Sequence, residues 1–203
     1  MCQGVLTPAR RRMTYSEKYE AALILAAREH RAQNRKGTDI PYITHPVLVS
    51  IILARHGFPD PVVIAGLLHD VVEDQNYPLT MVEAEFGTEV AEMVGALSEQ
   101  KRDATGKVRP WLERKQENLD KLYRASAGAV AVKAADALHN ILTLEADLRR
   151  DGAVVWERFN TDPRSSLWYY RSVARLARER LDDHPLVIEL EEAVATLTLL
   201  VGC

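Results

Sequence analysis

The segment Leu67–Asp74 reads LLHDVVED, a histidine and three carboxylates set among two apolar pairs. Imidazole nitrogens and carboxylate oxygens bind borderline divalent cations and also move protons near neutral pH. On a continuous helix His69 and Glu73 lie four residues apart, as do Asp70 and Asp74, and Asp70 lies three from Glu73, so all four point into one sector. Leu67, Leu68, Val71 and Val72 fill the remaining directions. Such a helix is buried, and carboxylates buried with it need partners or a metal ion. His69 and Asp70 alone are better accounted for by a buried hydrogen bond, so the chemistry turns on what the rest of the chain adds.

Two further segments carry the same oddity. His45 follows a loop and opens a helix with Pro46 in its first turn. Asp136 and Asn140 lie one turn apart in AVAVKAADALHNILTL, another apolar helix with isolated polar residues. Three helices can therefore converge polar groups inside one bundle. His45, His69, Asp70 and Asp136 make a mixed nitrogen and oxygen ligand set that suits Mn²⁺, or another divalent ion such as Zn²⁺, Fe²⁺ or Mg²⁺, with positions left open for water. A closed structural zinc site would show cysteines, and the two present, Cys2 and Cys203, stand at opposite ends of the chain.

The elements that must position these groups are helical. Apolar residues at 3-4 spacing predict helices over 16–33, 45–55, 60–73, 80–86, 88–98, 111–123, 127–150, 163–181 and 185–201, with the first capped by Thr14 or Ser16. Prolines and glycines in NRKGTDIPYITHP and the polar run SEQKRDATGKVRP mark loops. No window alternates like a strand, so the fold class is all-α, one helical bundle over 14–203 behind a flexible extension at 1–13 that holds Arg10–Arg12. A net charge of −3 argues against a general nucleic-acid binder. No run reaches the roughly 18 apolar residues of a membrane span. A cytoplasmic protein with no membrane partner is the simplest expectation, and the oligomeric state is left open between monomer and homo-oligomer.

The segments THP, HDVVED and KAADALHN together resemble the ligand segments of the HD metal-dependent phosphohydrolases. RKGTDIPYITHP narrows the resemblance to the (p)ppGpp hydrolase domain of RelA/SpoT-type enzymes and to the small alarmone hydrolases. The likeness runs from about Tyr19 to Thr143. It implies a single HD-domain helical bundle with His45, His69, Asp70 and Asp136 as metal ligands, and Glu73 and Asp74 as the acidic pair beside the attacking water. It also implies Asn140 and Thr143 at the nucleoside, Arg35 stacked on guanine, Lys36 facing phosphate, and Arg114 and Lys115 of WLERKQ near the pyrophosphate.

The implied activity is removal of the 3′-pyrophosphate from (p)ppGpp, a small-molecule nucleotide. The alternatives are phosphatase action on another 2′- or 3′-phosphorylated nucleotide such as NADPH, and a catalytically silent nucleotide-binding module. A pyrophosphate ester repels hydroxide, so a metal that neutralises phosphoryl oxygens and acidifies a water suits it. His30, His56, His139 and His184 read as structural histidines, His139 because it points about 100° away from Asn140 on the helix. Leu167–Tyr170, the LWYY run, reads as core or dimer packing.

Overall fold

The computed structural model describes residues 16–159 and 161–202; the extension at 1–13, Arg10–Arg12 and the Thr14 cap lie outside them. Ser16 opens α1 (Glu17–Glu29), its hydroxyl accepting the Tyr19 backbone N–H at 3.2 Å while Glu17 and Glu20 meet the positive helix terminus. The helices that follow are α2 (Thr44–Arg55), α3 (Asp60–Leu68), α4 (Val71–Gln75), α5 (Leu79–Phe86), α6 (Thr88–Leu97), α7 (Trp111–Arg124), α8 (Ala127–Asp151), α9 (Pro163–Leu181) and α10 (Pro185–Val201). A 3-10 turn, Gly152–Arg158, links α8 to α9. Among the described residues only two isolated bridges, Asn34 with Pro41 and Arg102 with Val108, have strand character. No helix among them is long and apolar enough to cross a membrane.

The fold is organised around α8, which packs against α2, α3, α6, α9 and α10. Its first half is rich in alanine, and Ala131, Ala134 and Ala135 are fully buried, so neighbouring backbones approach closely. The approach of α2 to α3 depends on Gly66: a Cβ there would come within 2.6 Å of Leu53 Cδ1. That contact brings His45 on α2 beside His69 at the end of α3.

One expectation changes. The helix over 60–73 is two helices, with a turn at His69 and Asp70 between α3 and α4. The His69 ring takes the Gly66 carbonyl at 2.8 Å, competing locally with the helix ladder, and the chain resumes helical bonding from Asp74 N–H to the Asp70 carbonyl at 2.8 Å. The four polar groups of LLHDVVED consequently do not share a sector. Asp70 stays with His69, whereas Glu73 and Asp74 turn toward other loops.

Candidate functional site

His45, His69 and Asp70 present ligand atoms within 4.8 Å of one another. Asp136 from α8 joins them: its Oδ1 lies 3.2 Å from His45 Nε2 and 3.9 Å from His69 Nε2. Asp70 Oδ2 lies 2.9 Å from His69 Nε2 and 3.7 Å from His45 Nε2. Both imidazoles are almost wholly buried. His69 Nδ1 donates to Gly66, so its Nε2 carries the lone pair, and that buried atom has no hydrogen-bond partner among the described residues. A buried imidazole lone pair facing two carboxylates sets acceptor against acceptor, which a cation between them resolves. The donor set therefore fits a divalent metal ion.

Without a cation the same field draws a second proton onto His69: burial acts to lower its pKa, but the Asp70 and Asp136 charges outweigh it and push it up to about 9, and a bound metal would take the place of that proton on Nε2. At His45 burial prevails and the value is lowered despite Asp136. Burial likewise opposes ionisation of Asp136, yet Lys133 and His45 hold its pKa well below the ordinary carboxylate value. The centre is a negative field that a cation neutralises.

Neighbouring side chains hold the candidate ligands. Tyr42 OH donates to Asp70 Oδ2 at 2.5 Å. Lys133 Nζ donates to Asp136 Oδ2 at 2.9 Å and Asn140 Nδ2 to Oδ1 at 2.6 Å. His139 sets its Nδ1 2.7 Å from His45 Nδ1, so the structural role read from its helical angle gives way to direct contact with the centre. The angle separates His139 from Asn140, but α2 lies on that side of α8 as well. The sequence reading passes over Lys133, although a signal was there: a lysine one turn before an aspartate in an apolar run is buried and must be paired. Tyr42 and His139 carry no comparable signal, because their partners lie 28 and 94 residues away.

Glu73 and Asp74 stand outside the cluster. Glu73 Oε2 accepts the Glu99 backbone N–H at 2.9 Å, and Lys101 Nζ lies 3.2 Å from Oε1. Burial, then the Glu99 charge, raises the Glu73 pKa above the ordinary carboxylate value. Asp74 accepts from Lys101 at 2.5 Å and from Gln33 at 2.8 Å.

A cleft of about 430 Å³ opens beside the cluster, and Arg35, Lys36, Asn140 and Thr143 all line it. The Arg35 guanidinium donates to Asn140 Oδ1 at 3.1 Å, while Lys36 is exposed at the rim. A smaller hollow of about 160 Å³ adjoins it, lined by Lys115, Lys133, Asp136 and Tyr169, with Asn140 and Tyr170 shared by both cavities. The core reading of the LWYY run holds for Leu167 and Tyr169, which are buried in the core, and for Trp168 and Tyr170, which pack against it, while Tyr169 and Tyr170 also wall the cavities. Arg114 and Lys115 part company. Both pair with the Glu99 carboxylate, at 2.8 and 2.5 Å, but only Lys115 faces the hollow.

Helices that gather two imidazoles and two carboxylates beside a cleft of nucleotide size define an all-α protein with a candidate divalent-metal centre. The chain belongs to the HD domain family, which matches residues 22–161. It is 41% identical over 133 residues to the human guanosine-3′,5′-bis(diphosphate) 3′-pyrophosphohydrolase MESH1, covering 62% of this chain and 71% of that protein. It is 40% identical over 131 residues to the enzyme of that activity from Haemophilus influenzae, of whose length it spans 19%. The structure of a metazoan ortholog of SpoT, which hydrolyzes ppGpp, matches with a TM-score of 0.68 at 28% identity, over 90% of this chain and 97% of that one.

Proposed function

We propose that this chain is a metal-dependent pyrophosphohydrolase that removes the 3′-pyrophosphate from ppGpp-type nucleotides, with His45, His69, Asp70 and Asp136 holding Mn²⁺. The observation that carries this reading is the pair of hydrogen bonds made by Asn140, whose amide nitrogen donates to Asp136 and whose carbonyl accepts from Arg35. One residue thereby joins the ligand cluster to the cleft, and a nucleoside seated against Arg35 lies beside the cluster. The activities of the human and Haemophilus relatives support the same reading.

The reaction adds a water oxygen to the phosphorus bonded to the 3′-oxygen and breaks that P–O bond, giving pyrophosphate and a nucleotide whose 3′-oxygen has taken a proton. A bound divalent ion supplies charge neutralisation at the phosphoryl oxygens and acidifies water. The chain does the rest. Arg35 offers a planar cation to the base, Lys36 stands at the rim for phosphate, and Asn140 and Thr143 face the nucleoside. Glu73, with one oxygen pinned by Glu99 and the other beside Lys101, orients the water and takes its proton, and Asp74 assists. Lys115 turns a cation toward the hollow where the departing anion collects.

Purified protein with Mn²⁺ is assayed against ppGpp, pppGpp, the adenosine analogue and NADPH by kcat/KM. Preference for the guanosine pyrophosphates is expected. Preference for NADPH makes the protein a phosphatase of 2′-phosphorylated nucleotides, and no turnover of any makes it a silent binding module. Asp136→Ala is expected to lose most bound metal, whereas full metal content in that variant removes Asp136 from the site.

A further inference from the structure

Asp74 is held from two sides, and only one holder is a charge. The Lys101 side chain is 45% exposed, but Gln33, just beyond the end of α1, is held by its own partners before it reaches Asp74. Its Oε1 accepts from Gln75 Nε2 at 2.5 Å and stands 2.7 Å from His30 Nδ1. His30 is 1% exposed, and its Nε2 has no hydrogen-bond partner among the described residues. A proton on Nε2 would therefore be stranded, so Nδ1 carries it and donates to Gln33. With two donors on its oxygen, the Gln33 amide has one orientation, and its Nε2 must face Asp74 Oδ2, 2.8 Å away. The His30 ring also lies 4.9 Å from the ring of Tyr42, whose hydroxyl holds Asp70. The end of α1 thus supports both a carboxylate of the candidate metal cluster and one of the acidic pair.

We propose that Gln33 is a positioning residue that fixes the Asp74 carboxylate for turnover, with His30 and Gln75 setting the direction of its amide. The inference rests on the hydrolase reading above. The oxygen of the Gln33 amide orders His30 and Gln75, and its nitrogen is given over to Asp74.

The test is a double-mutant cycle in the Mn²⁺-loaded protein, using whichever nucleotide of the panel it turns over. Gln33→Met, which keeps shape and loses the amide, is expected to lower kcat about 10-fold with KM and metal content changed less than 2-fold. Gln33→Glu, isosteric but setting a like charge against Asp74, is expected to lower kcat further. In an Asp74→Asn background Gln33→Met is expected to have no added effect, because the residue acts through Asp74. Losses that multiply in the double variant, or full kcat in Gln33→Met, overturn the proposal. If Gln33→Met does not fold, the Gln33→Glu cycle decides on the same criterion. Absence of turnover by the unaltered protein on the whole panel defeats the hydrolase reading instead, so the two failures are distinct.

Discussion

His45 and His139 face each other through their Nδ1 atoms, 2.7 Å apart. Only one of the two can carry the proton. His45 needs its Nε2 lone pair for the cluster, so it donates from Nδ1, and His139 accepts as a neutral ring. Burial, then the His45 and Arg35 charges, bring the His139 pKa down to about 3, which keeps that acceptor available. His139→Leu removes the acceptor and frees the His45 ring to turn. Metal affinity is expected to fall about 10- to 100-fold, the usual effect of losing a group that orients a ligand. Much of kcat should return at saturating Mn²⁺, and His139→Gln, which keeps a carbonyl acceptor, should recover part of the affinity. Titration with Mn²⁺ checks this; unchanged affinity in His139→Leu means that His45 needs no orienting partner.

Gly37 has φ +73°, and a Cβ built on it would lie 2.8 Å from Arg158 Cδ. Arg158 is not free to leave, since its guanidinium pairs with Asp151 at 2.9 Å. The turn bearing Arg35 and Lys36 is therefore seated against the last residue of the 3-10 turn that follows α8. Gly37→Ala faces both strain and a clash, and it is expected to raise KM several-fold with kcat and metal content nearly unchanged, because the turn carries Arg35 and Lys36, proposed to meet the nucleotide, and none of the candidate metal ligands. An unchanged KM would mean that the seating of this turn has no bearing on the substrate.

How much of this was legible in the sequence differs by element. The helices, and the convergence of His45, His69, Asp70 and Asp136 as a candidate metal cluster, follow from periodicity and from polar residues isolated in apolar runs, signals local to a segment. The break at His69–Asp70 was not legible, since it depends on a ring bonding back to the Gly66 carbonyl within a pattern that reads as unbroken helix. The separate fates of Arg114 and Lys115 were not legible either. Adjacent residues on a helix diverge by about 100°, and which of them meets a cavity is set by where α9 lies. Gln33 escaped notice because all three of its partners are tertiary or belong to a turn.

Lys133 is buried and donates to Asp136 at 2.9 Å. Burial opposes its charge, yet Asp136 outweighs this and raises its pKa well above the ordinary lysine value, so the pair is ionised. Lys133→Met leaves a buried carboxylate without its cation, and breaking such a pair costs about 3–5 kcal/mol. Metal-free Lys133→Met should thus unfold at a distinctly lower temperature than the metal-free unaltered chain, and Mn²⁺ should narrow the gap by replacing the missing charge. The Asp136 pKa is depressed in the intact fold, so its contribution to stability is present above the ordinary carboxylate value and lost as pH falls. The gap should accordingly close in acid. Equal melting temperatures without metal at neutral pH would show that the pair contributes nothing.

Glu73 offers the sharpest test, because Gln preserves its shape and one hydrogen-bond acceptor while removing charge and basicity. Glu73 lies outside the ligand cluster, with its carboxylate on the Glu99 N–H and beside Lys101. Glu73→Gln is expected to keep its metal and bind nucleotide nearly normally while kcat falls roughly 10²- to 10⁴-fold, the range for losing a general acid or base. The pH profile carries the same information with a definite sign. In the proposed role the ionised form is the working one, and burial together with the Glu99 charge raises the pKa, so kcat/KM should decline on the acidic side at a pH above the ordinary carboxylate value. Lys101 opposes that shift; Lys101→Met removes a cation that favours the ionised form and should move the acidic limb to still higher pH. Glu73→Gln should abolish the limb altogether. Metal titration and single-turnover hydrolysis on one preparation separate the outcomes: lost metal makes Glu73 a ligand, and near-normal turnover with the acidic limb intact transfers the proton-accepting role to Asp74.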